Sequence, residues 1–527
     1  MSLTNKMLRC RVQMMGLVCG ASLQFAAPPL LSAADPPRSA ETAAPSRAGR
    51  HGRGFIPDPA GYRKTEAVQA FRDYLPAKYD LAADLPPPGN QGDQSSCVAW
   101  SVGYAARTYY LKHYYAKDVT QRENVLSPAF IYNTLKQSGG ACDDGLSLTG
   151  ALNLLQKSGG VPLSVLPYDP HQCLTLPSAQ DLSHYSDRFR IRGYRKVRDE
   201  DDVKGELYRD NPVVFAIDAG PAFDHYHSGI IDTTEDPGPG SAHAMVIVGY
   251  DDEKQAFHFV NSWGPLWGEK GLGWISYRAA KALWIEGYVM DVAAPPAPPP
   301  PPPVSPPPAP VSVFVDPPQL DPTAPCSHVT WTSVRAGAGF TVKLSGFVGK
   351  PEDLAGMRNT ALQQSGVSSV DSSEVSLRPW PQCEALMTLS SALAHAQGMA
   401  LTKTPDKAHL VRGEEFSFEV RSPDYPSYLY VAYVQSDGSA KFLLRPVGST
   451  LTPPNTVIRL GEGPRTVHYK VGPPYGSEMV VALASDQPLL GEDLPVHDRQ
   501  LLTAYRRVLP HAQVASAAIV TLDTTEE

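Results

Sequence analysis

The stretch Asn90–Ser101, NQGDQSSCVAWS, changes character at its single cysteine. It begins polar, and after Cys97 it continues into SVGYAARTYYLKHYYA, where apolar and aromatic residues recur at helical spacing. The pattern predicts a loop up to Cys97 and a helix over 98–116. A free cysteine is often only a small buried apolar side chain. At the start of a helix, however, the helix dipole stabilises a thiolate, which is a nucleophile. Other motifs in the chain must distinguish a packed thiol from a nucleophile.

Length and composition limit the classes of function. The chain has 527 residues, which predicts several domains, and its 42% hydrophobic and 19% charged residues are typical of globular proteins. The formal net charge is −8, and no block of Lys and Arg is present. We therefore expect no nucleic-acid partner.

Residues 1–34 are typical of a secretory signal peptide. Basic residues come first, an apolar stretch over 14–27 follows, and small residues lead to a predicted cleavage near Ala33 or Ala34. A membrane anchor is the alternative, but the run is short and is followed by two prolines. We predict export and no transmembrane span.

The cysteine count indicates one unpaired thiol. Two of the seven cysteines lie in the predicted signal peptide, and export permits disulfides among the other five. Five is an odd number, so one thiol stays free or pairs outside the chain.

Composition divides the remaining chain into segments. The first is a leader over 35–76, rich in Ala, Pro, Arg and Gly and without periodicity, which we expect to be flexible. Helical patterns and then strand-like runs over 77–293 predict an α+β domain of two lobes. A proline-rich linker occupies 294–310, and we read it as a spacer rather than as a ligand for a proline-binding partner. Because a tether should carry few packing contacts, we expect the domain before it to fold alone.

Two modules follow the linker. Residues 311–395 contain a strand, helix and strand pattern, which predicts a small βαβ module. Residues 396–527 contain many alternating runs, two of them joined by Asp437-Gly438, which is a strong hairpin signal. Such a series predicts an antiparallel β-sandwich.

Two motifs downstream complement Cys97. His243 stands at the start of the apolar run in SAHAMVIVGYDD, and Asn261 ends the next run in HFVNSWGPLWGEKGLGWI. A hairpin through 251–255 would bring them together. A histidine can take the proton of a thiol, an asparagine can orient that histidine, and an oxyanion needs donors. The side chain of Gln91 and the backbone N–H of Cys97 could supply those donors.

These motifs together resemble the papain family of cysteine peptidases. The residues that carry the resemblance are Gln91-Gly92, Ser96-Cys97, Ala99, Ser101, His243, the VGY at 248–250, Asn261-Ser262-Trp263-Gly264, Trp267-Gly268 and Gly271. The resemblance covers about 77–292, in the family's order. It implies a papain-like two-lobed fold with Cys97 as nucleophile, His243 as base, Asn261 as its orienting partner and Gln91 as oxyanion donor.

The resemblance implies further roles. Trp263 would shield the bond between His243 and Asn261, and Gly145, Ala242 and Trp263 would contact substrate. Small residues beside His243 fit an apolar side chain two positions before the cut. Cys142 and Cys173 match a family disulfide, Cys326 and Cys383 would form a second, and Cys97 would be the free thiol. The chain departs from the family pattern at Gln94, Val98 and Trp100, where the family commonly has Cys, Trp and Phe.

The last two modules also resemble known ones. LSGFVGKPEDL with WPQCEAL resembles a BON-like module of bacterial envelope proteins, and HLVRGEEFSFEV through GSEMVVALAS resembles a β-sandwich module of unknown function appended to bacterial peptidases and kinases. Neither carries a catalytic array, so we expect both modules to serve binding or localisation, with a partner in the cell envelope.

The sequence thus predicts an exported bacterial cysteine peptidase, periplasmic or extracellular, acting on peptides or proteins without metal or cofactor. Two alternatives stay open. One is a catalytically silent binding protein on a protease fold, and the other is an acyl transferase or amidase that uses the same triad.

Overall fold

The computed structural model describes residues 52–136, 142–238, 240–294, 324–337, 339–463, 467–488 and 498–527. The predicted signal peptide, the first part of the predicted leader and nearly all of the proline-rich linker lie outside these residues. Within them, no helix is long and apolar enough to cross a membrane.

Helices predominate in the first part of the described chain before the linker. The helical run that starts at the cysteine comprises α2 (Cys97–Ala99), π-helical turns over Trp100–Arg107 and α3 (Thr108–Tyr115), close to the predicted 98–116. The other helices are α1 (Pro59–Lys64), α4 (Pro128–Lys136), α5 (Leu148–Ser158), α6 (Ala179–Phe189), α7 (Glu200–Tyr208), α8 (Pro221–Asp224) and α9 (Tyr277–Leu283).

The strands before the linker, most of them in the second half of the domain, form one sheet. They are β1 (Lys78–Asp80), β2 (Gly193–Lys196), β3 (Val213–Asp218), β4 (Ile230–Ile231), β5 (Ala242–Asp251), β6 (Ala256–Val260), β7 (Leu272–Ser276) and β8 (Trp284–Asp291). Their order is β2-β8-β3-β5-β6-β7-β4, with β1 added to β5. The interior residues of β3 and β5 are buried, as continuous apolar runs predict. Helices and sheet share one apolar core.

The predicted hairpin through 251–255 is present. Strands β5 and β6 pair antiparallel, with Asp251 opposite Ala256 and Val246 opposite Val260. Asn261, which follows β6, is therefore brought back towards the start of β5, where His243 lies.

The module after the linker has one strand more than the predicted βαβ pattern. Its elements are β9 (His328–Ala336), β10 (Gly339–Val348), α10 (Pro351–Leu362) and β11 (Val367–Leu377). Strands β10 and β11 pair parallel across α10, and β9 adds antiparallel to β10. The extra strand is an edge strand whose residues are largely exposed, so it lacks the apolar run that would reveal it.

The last part of the chain, residues 382–527, is β-rich, and we call it the C-terminal module. It has a sheet of β12 (Ala400–Thr404), β14 (Glu415–Arg421), β17 (Val457–Leu460) and β18 (Tyr469–Lys470). A second sheet contains β13 (His409–Val411), β15 (Tyr428–Val434), β16 (Ala440–Leu444), β19 (Gly476–Ser485) and β20 (Ala515–Thr525). Residues of both sheets share one apolar core.

The C-terminal module also contains α-helices, which were not predicted from the sequence because strand patterns dominate this part of the chain. They are α11 (Gln382–Thr388), α12 (Ser390–Ala394) and α13 (Asp498–Val508). Their apolar residues pack in a second core with β15 and β19. The packing therefore groups 382–394 with the C-terminal module, although the sequence placed the boundary at 395.

The leader is ordered from residue 52 onwards, which corrects the expectation of flexibility for this part. Asp58 caps α1 through a 2.9 Å hydrogen bond from the N–H of Gly61, and Phe55, Val68 and Leu75 are buried. The segment lacks periodicity because it is held by single apolar anchors and by backbone contacts, which leave no repeating pattern in a sequence.

The C-terminal module docks on the domain before the linker, which corrects the expectation that the tether separates two independent parts. Arg506 of α13 lies 2.8 Å from the carboxylate of Asp252 and 3.2 Å from that of Glu384. Lys204 lies 2.7 Å from Asp252, and Arg499 lies 3.5 Å from Glu384. The composition of a linker says nothing about surfaces that meet beyond it.

This buried charge network is electrically compensated. Asp252 and Glu384 are at most 1% exposed, so neither carboxylate is solvated by bulk water. Burial by itself would raise the pKa of Asp252, but Lys204 and Arg506 outweigh it and hold the pKa below the usual value. The carboxylate consequently stays ionised and requires its cationic partners.

We predict that Arg506→Met lowers the free energy of unfolding by about 3 kcal/mol, because it leaves two buried carboxylates short of a partner. Urea unfolding at pH 7 measures the change. Arg459→Met, which removes an exposed pair with Glu419, is the matched control and should cost less than about 1 kcal/mol. Equal effects of the two substitutions would contradict the prediction.

Since folding lowers the pKa of Asp252, the contribution of this carboxylate to the free energy of unfolding should be complete above about pH 4 and lost at lower pH.

Candidate active site

Cys97 begins its helix inside the protein. Its side chain is fully buried, and Ser96 before it shares a 2.7 Å hydrogen bond with the hydroxyl of Tyr168. One helical turn later, the hydroxyl of Ser101 donates to the carbonyl of Ala244 at 2.8 Å. The helix is thereby fixed against β5 beside His243.

His243 and Asn261 meet as the hairpin requires. The Nε2 atom of His243 lies 2.8 Å from Oδ1 of Asn261, which also accepts a 2.8 Å hydrogen bond from the N–H of Ser262. Because an amide oxygen only accepts, Nε2 must carry a proton, and Nδ1 is the ring nitrogen that can act as a base. The ring of Trp263 stacks on His243 at 4.7 Å and covers the pair.

Gln91 is buried and fully engaged. Its Nε2 donates to the carbonyls of Gln94, at 2.8 Å, and Gly52, at 3.0 Å. Its Oε1 accepts a 2.6 Å hydrogen bond from the hydroxyl of Ser262. The indole N–H of Trp263 also donates to the carbonyl of Gly52, at 3.2 Å. One carbonyl oxygen of the leader thus receives two donors beside the histidine.

The leader crosses the groove between Cys97 and the loop at 145–146. We call this groove the cleft. The N–H of Leu146 donates to the carbonyl of Gly54 at 2.7 Å, and the N–H of Ile56 donates to the carbonyl of Leu146 at 2.9 Å. Phe55 pairs with Leu146 in a parallel bridge and is itself buried. The backbone of the leader therefore adds a short strand to one wall of the cleft.

Glycines allow this close approach. A Cβ atom on Gly145 would lie 2.0 Å from the carbonyl oxygen of Gly54, and one on Gly54 would lie 2.3 Å from that of Ser95. Gly145 thus offers bare backbone to an extended chain. Ala242, at the start of β5, is half-buried and packs against the core.

Burial of Cys97 determines the protonation of its thiol. Burial raises the pKa of its thiol to about 11, and hydrogen bonds with the backbone of Ala244 and Gly54 offset only part of this. In the covered form the sulfur is therefore a thiol and not the thiolate that nucleophilic attack needs.

Two disulfides join the predicted pairs, Cys142–Cys173 from the resemblance and Cys326–Cys383 from the cysteine count, and Cys97 is the free cysteine among the described residues. The bridge of Cys142 and Cys173 holds the loop that leads to Gly145. Gln94, which stands at a family cysteine position, instead donates to the carbonyl of Gln172 at 3.0 Å. The disulfide between Cys326 and Cys383 joins the segment just before β9 to α11.

Sequence reasoning missed the residues that the leader brings to the cleft. Arg53 lies over the ring of Trp263, 5.2 Å from its centre, and forms a 2.8 Å ion pair with Asp224. The only signal was the GRGF sequence at 52–55, where two glycines flank an arginine.

Comparisons with known proteins agree with this geometry. Residues 75–291 match the family model "Papain family cysteine protease", and residues 409–488 match "Domain of unknown function (DUF4384)". Mouse cathepsin K is 28% identical over 226 residues, which cover 41% of this chain and 59% of that protein. Cysteine proteinase COT44 of Brassica napus is 31% identical over 222 residues, which cover 41% of this chain and 58% of that protein.

The chain thus spans about three fifths of the length of these curated relatives. Among solved structures, xylellain, a cysteine protease from Xylella fastidiosa, is 26% identical with a TM-score of 0.39, covering 46% of this chain and 97% of that one. The match over 75–291 and the disulfide-linked α+β domain lead to one conclusion: this part of the chain is a papain-family cysteine protease domain with a papain-like fold, in a multidomain chain with a β-rich C-terminal region.

Proposed function

We propose that the protein is an exported cysteine peptidase that hydrolyses peptide bonds with Cys97, His243, Asn261 and Gln91. The observation that carries the proposal is the hydrogen bond of His243 to Asn261 under Trp263, on the strand whose Ala244 backbone contacts Cys97. The family match supports a hydrolase of this class.

The chemistry follows from these positions. Nδ1 of His243 takes the thiol proton, and the sulfur of Cys97 attacks the substrate carbonyl. The resulting oxyanion is stabilised by the side-chain amide of Gln91, which donates to a leader carbonyl in the covered form. His243 then protonates the leaving amine, and water, deprotonated by the same ring, releases the acyl group from sulfur.

Gly145 and Trp263 would contact the substrate. The leader supports this role for both, since its backbone approaches Gly145 closely and its Gly52 carbonyl accepts from Trp263. For Ala242 the support is only its place next to His243. The buried Phe55 beside Leu146 fits the proposed preference for an apolar side chain near the cut.

Export remains part of the proposal. The two disulfides support an oxidising compartment, periplasmic or extracellular in a bacterium. A BON-like identity for 311–395 and envelope contacts of the last two modules also stay predictions. The family model over 409–488 adds no activity to them.

We predict that Gly54→Val exposes the nucleophile, because its side chain cannot fit against Ser95 and the leader must leave the cleft. Alkylation of Cys97 by iodoacetamide at pH 7, followed by mass spectrometry, should be more than about tenfold faster than in the wild-type chain. Gly356→Val is the matched control, since that glycine has open space around it. Equal alkylation rates in wild type and Gly54→Val would show that the leader does not protect the thiol.

We predict a graded loss of peptide hydrolysis in the Gly54→Val background. Cys97→Ala and His243→Ala should abolish hydrolysis, and His243→Ala should also remove fast alkylation at mildly acidic pH. Asn261→Ala should be milder because it only orients the ring. Gln91→Ala should lower kcat by roughly 10²–10³-fold.

The alternatives give different outcomes in the same assay. A folded Gly54→Val chain with an unreactive thiol and no hydrolysis would favour the silent binding protein. Transfer of the acyl group to an added amine in preference to water, or cleavage of side-chain amides only, would favour the transferase or the amidase.

A further inference from the structure

Arg53 of the leader occupies a site that is distinct from the catalytic group. Its guanidinium stacks over Trp263 at 5.2 Å and donates to a carboxylate oxygen of Asp224 at 2.8 Å. Both side chains of the ion pair are less than one third exposed. A planar cation is thus bound by an aromatic face and a carboxylate together.

The site is built into the domain and does not depend on the leader. Asp224 ends α8, and the preceding Phe223 is fully buried against Phe259. The carbonyl of Phe223 also accepts a 2.7 Å hydrogen bond from the indole of Trp267. The carboxylate of Asp224 is therefore carried by a segment that the core holds in place.

The leader also defines where this site lies along the cleft. Phe55 contacts Leu146 on one side of Cys97, and Arg53 reaches Trp263 and Asp224 on the other, with Gly54 at the sulfur between them. An extended substrate that crosses the same cleft must place a side chain on the Trp263 side. A basic side chain there would meet the contacts that Arg53 makes.

We propose that Asp224 and Trp263 form a specificity subsite for an Arg or Lys side chain of the substrate, on the Trp263 side of the cut. The proposal rests on the proposed peptidase function, since it concerns the substrate of that site. Asp224 is a specificity residue and takes no part in bond breaking.

A binding experiment tests the subsite without relying on catalysis. The full chain carrying Gly54→Val is alkylated in the presence of a synthetic peptide with the leader sequence HGRGFIP or its variant HGQGFIP. We expect the arginine peptide to protect Cys97 at about tenfold lower concentration, as a charge-assisted hydrogen bond with stacking allows. Asp224→Asn should remove the difference, and Asp187→Asn, at an exposed pair with Arg190, should not.

Hydrolysis provides the second readout. Peptide pairs that differ only by Arg or Gln at one position should show about a tenfold preference in kcat/KM for Arg at a single position, and Asp224→Lys should turn it into a preference for Glu. Hydrolysis without any basic preference, or a preference that survives Asp224→Asn, overturns the subsite and leaves the peptidase standing. Protection that favours arginine without hydrolysis of any peptide supports the subsite and refutes the peptidase. Equal protection by the two peptides overturns the subsite.

A second, independent set of contacts ties the leader to the C-terminal module. Arg499 of α13 donates to the carbonyls of Phe71, at 3.0 Å, and Asp73, at 2.8 Å. Arg506 donates to the carbonyl of Leu75 at 3.1 Å. The two arginines are less than one tenth exposed, so these are buried, charge-assisted hydrogen bonds to the leader backbone.

We infer that the C-terminal module keeps the leader in the cleft, and so controls access to Cys97 from outside the protease domain. The segment held at 71–75 directly precedes the part matched by the protease family model and follows α1. If this segment is released, the part of the leader that covers Cys97 is held only by its contacts with the protease domain.

The test uses the full chain and compares Arg499→Met with Arg459→Met, an exposed arginine of the same module. We expect Arg499→Met to speed alkylation of Cys97 by about fivefold or more and to speed hydrogen exchange at the amides of Ile56 and Leu146. Arg499→Lys, which keeps a cation beside Glu384 but loses the planar guanidinium that donates to both leader carbonyls, provides a milder variant should Arg499→Met fail to fold. A folded variant whose rates of Cys97 alkylation and amide hydrogen exchange equal those of the wild type would overturn this inference. Neither measurement requires hydrolysis.

Discussion

Two buried carboxylates hold the parts of this protein together. Asp252 comes from the protease domain and Glu384 from the C-terminal module, and each would be strongly destabilising without a cation beside it. Lys204 partners Asp252, Arg499 partners Glu384, and Arg506 contacts both. Because Arg506 contacts both carboxylates, their negative charges are fully paired only when the C-terminal module is docked on the protease domain. The same arginines bind the leader backbone, so docking also determines where the leader runs.

The leader in turn decides the chemistry of the cleft. While Gly54 lies against the sulfur, Cys97 is desolvated and the pKa of its thiol is raised. Removal of the cover would admit water and substrate and would remove the main cause of that rise. A thiol protected in this way is also shielded from oxidation, since oxidation follows thiolate character and exposure.

The sequence was informative wherever chemistry required a residue type at a strand or helix end. Cys97, His243 and Asn261 could be found because each ends a polar stretch or an apolar run, and the hairpin that joins the last two has a short polar turn. The leader contacts and the docking surface could not be found. A backbone pairing at Leu146 leaves no pattern, and the two carboxylates that meet Arg506 lie 122 and 254 residues before it in the chain.

The composition of the leader is explained by the narrowness of the cleft. Gly52 and Gly54 stand where any Cβ would collide with the carbonyls of Gln94 and Ser95, so the segment needs glycine for clearance. Arg53 and Phe55 alternate with them and anchor the segment on opposite sides of Cys97. Few contacts suffice, because the leader belongs to the same chain and binds at a high effective concentration. The same side-chain contacts offered by a separate peptide, without this effective concentration, would bind more weakly.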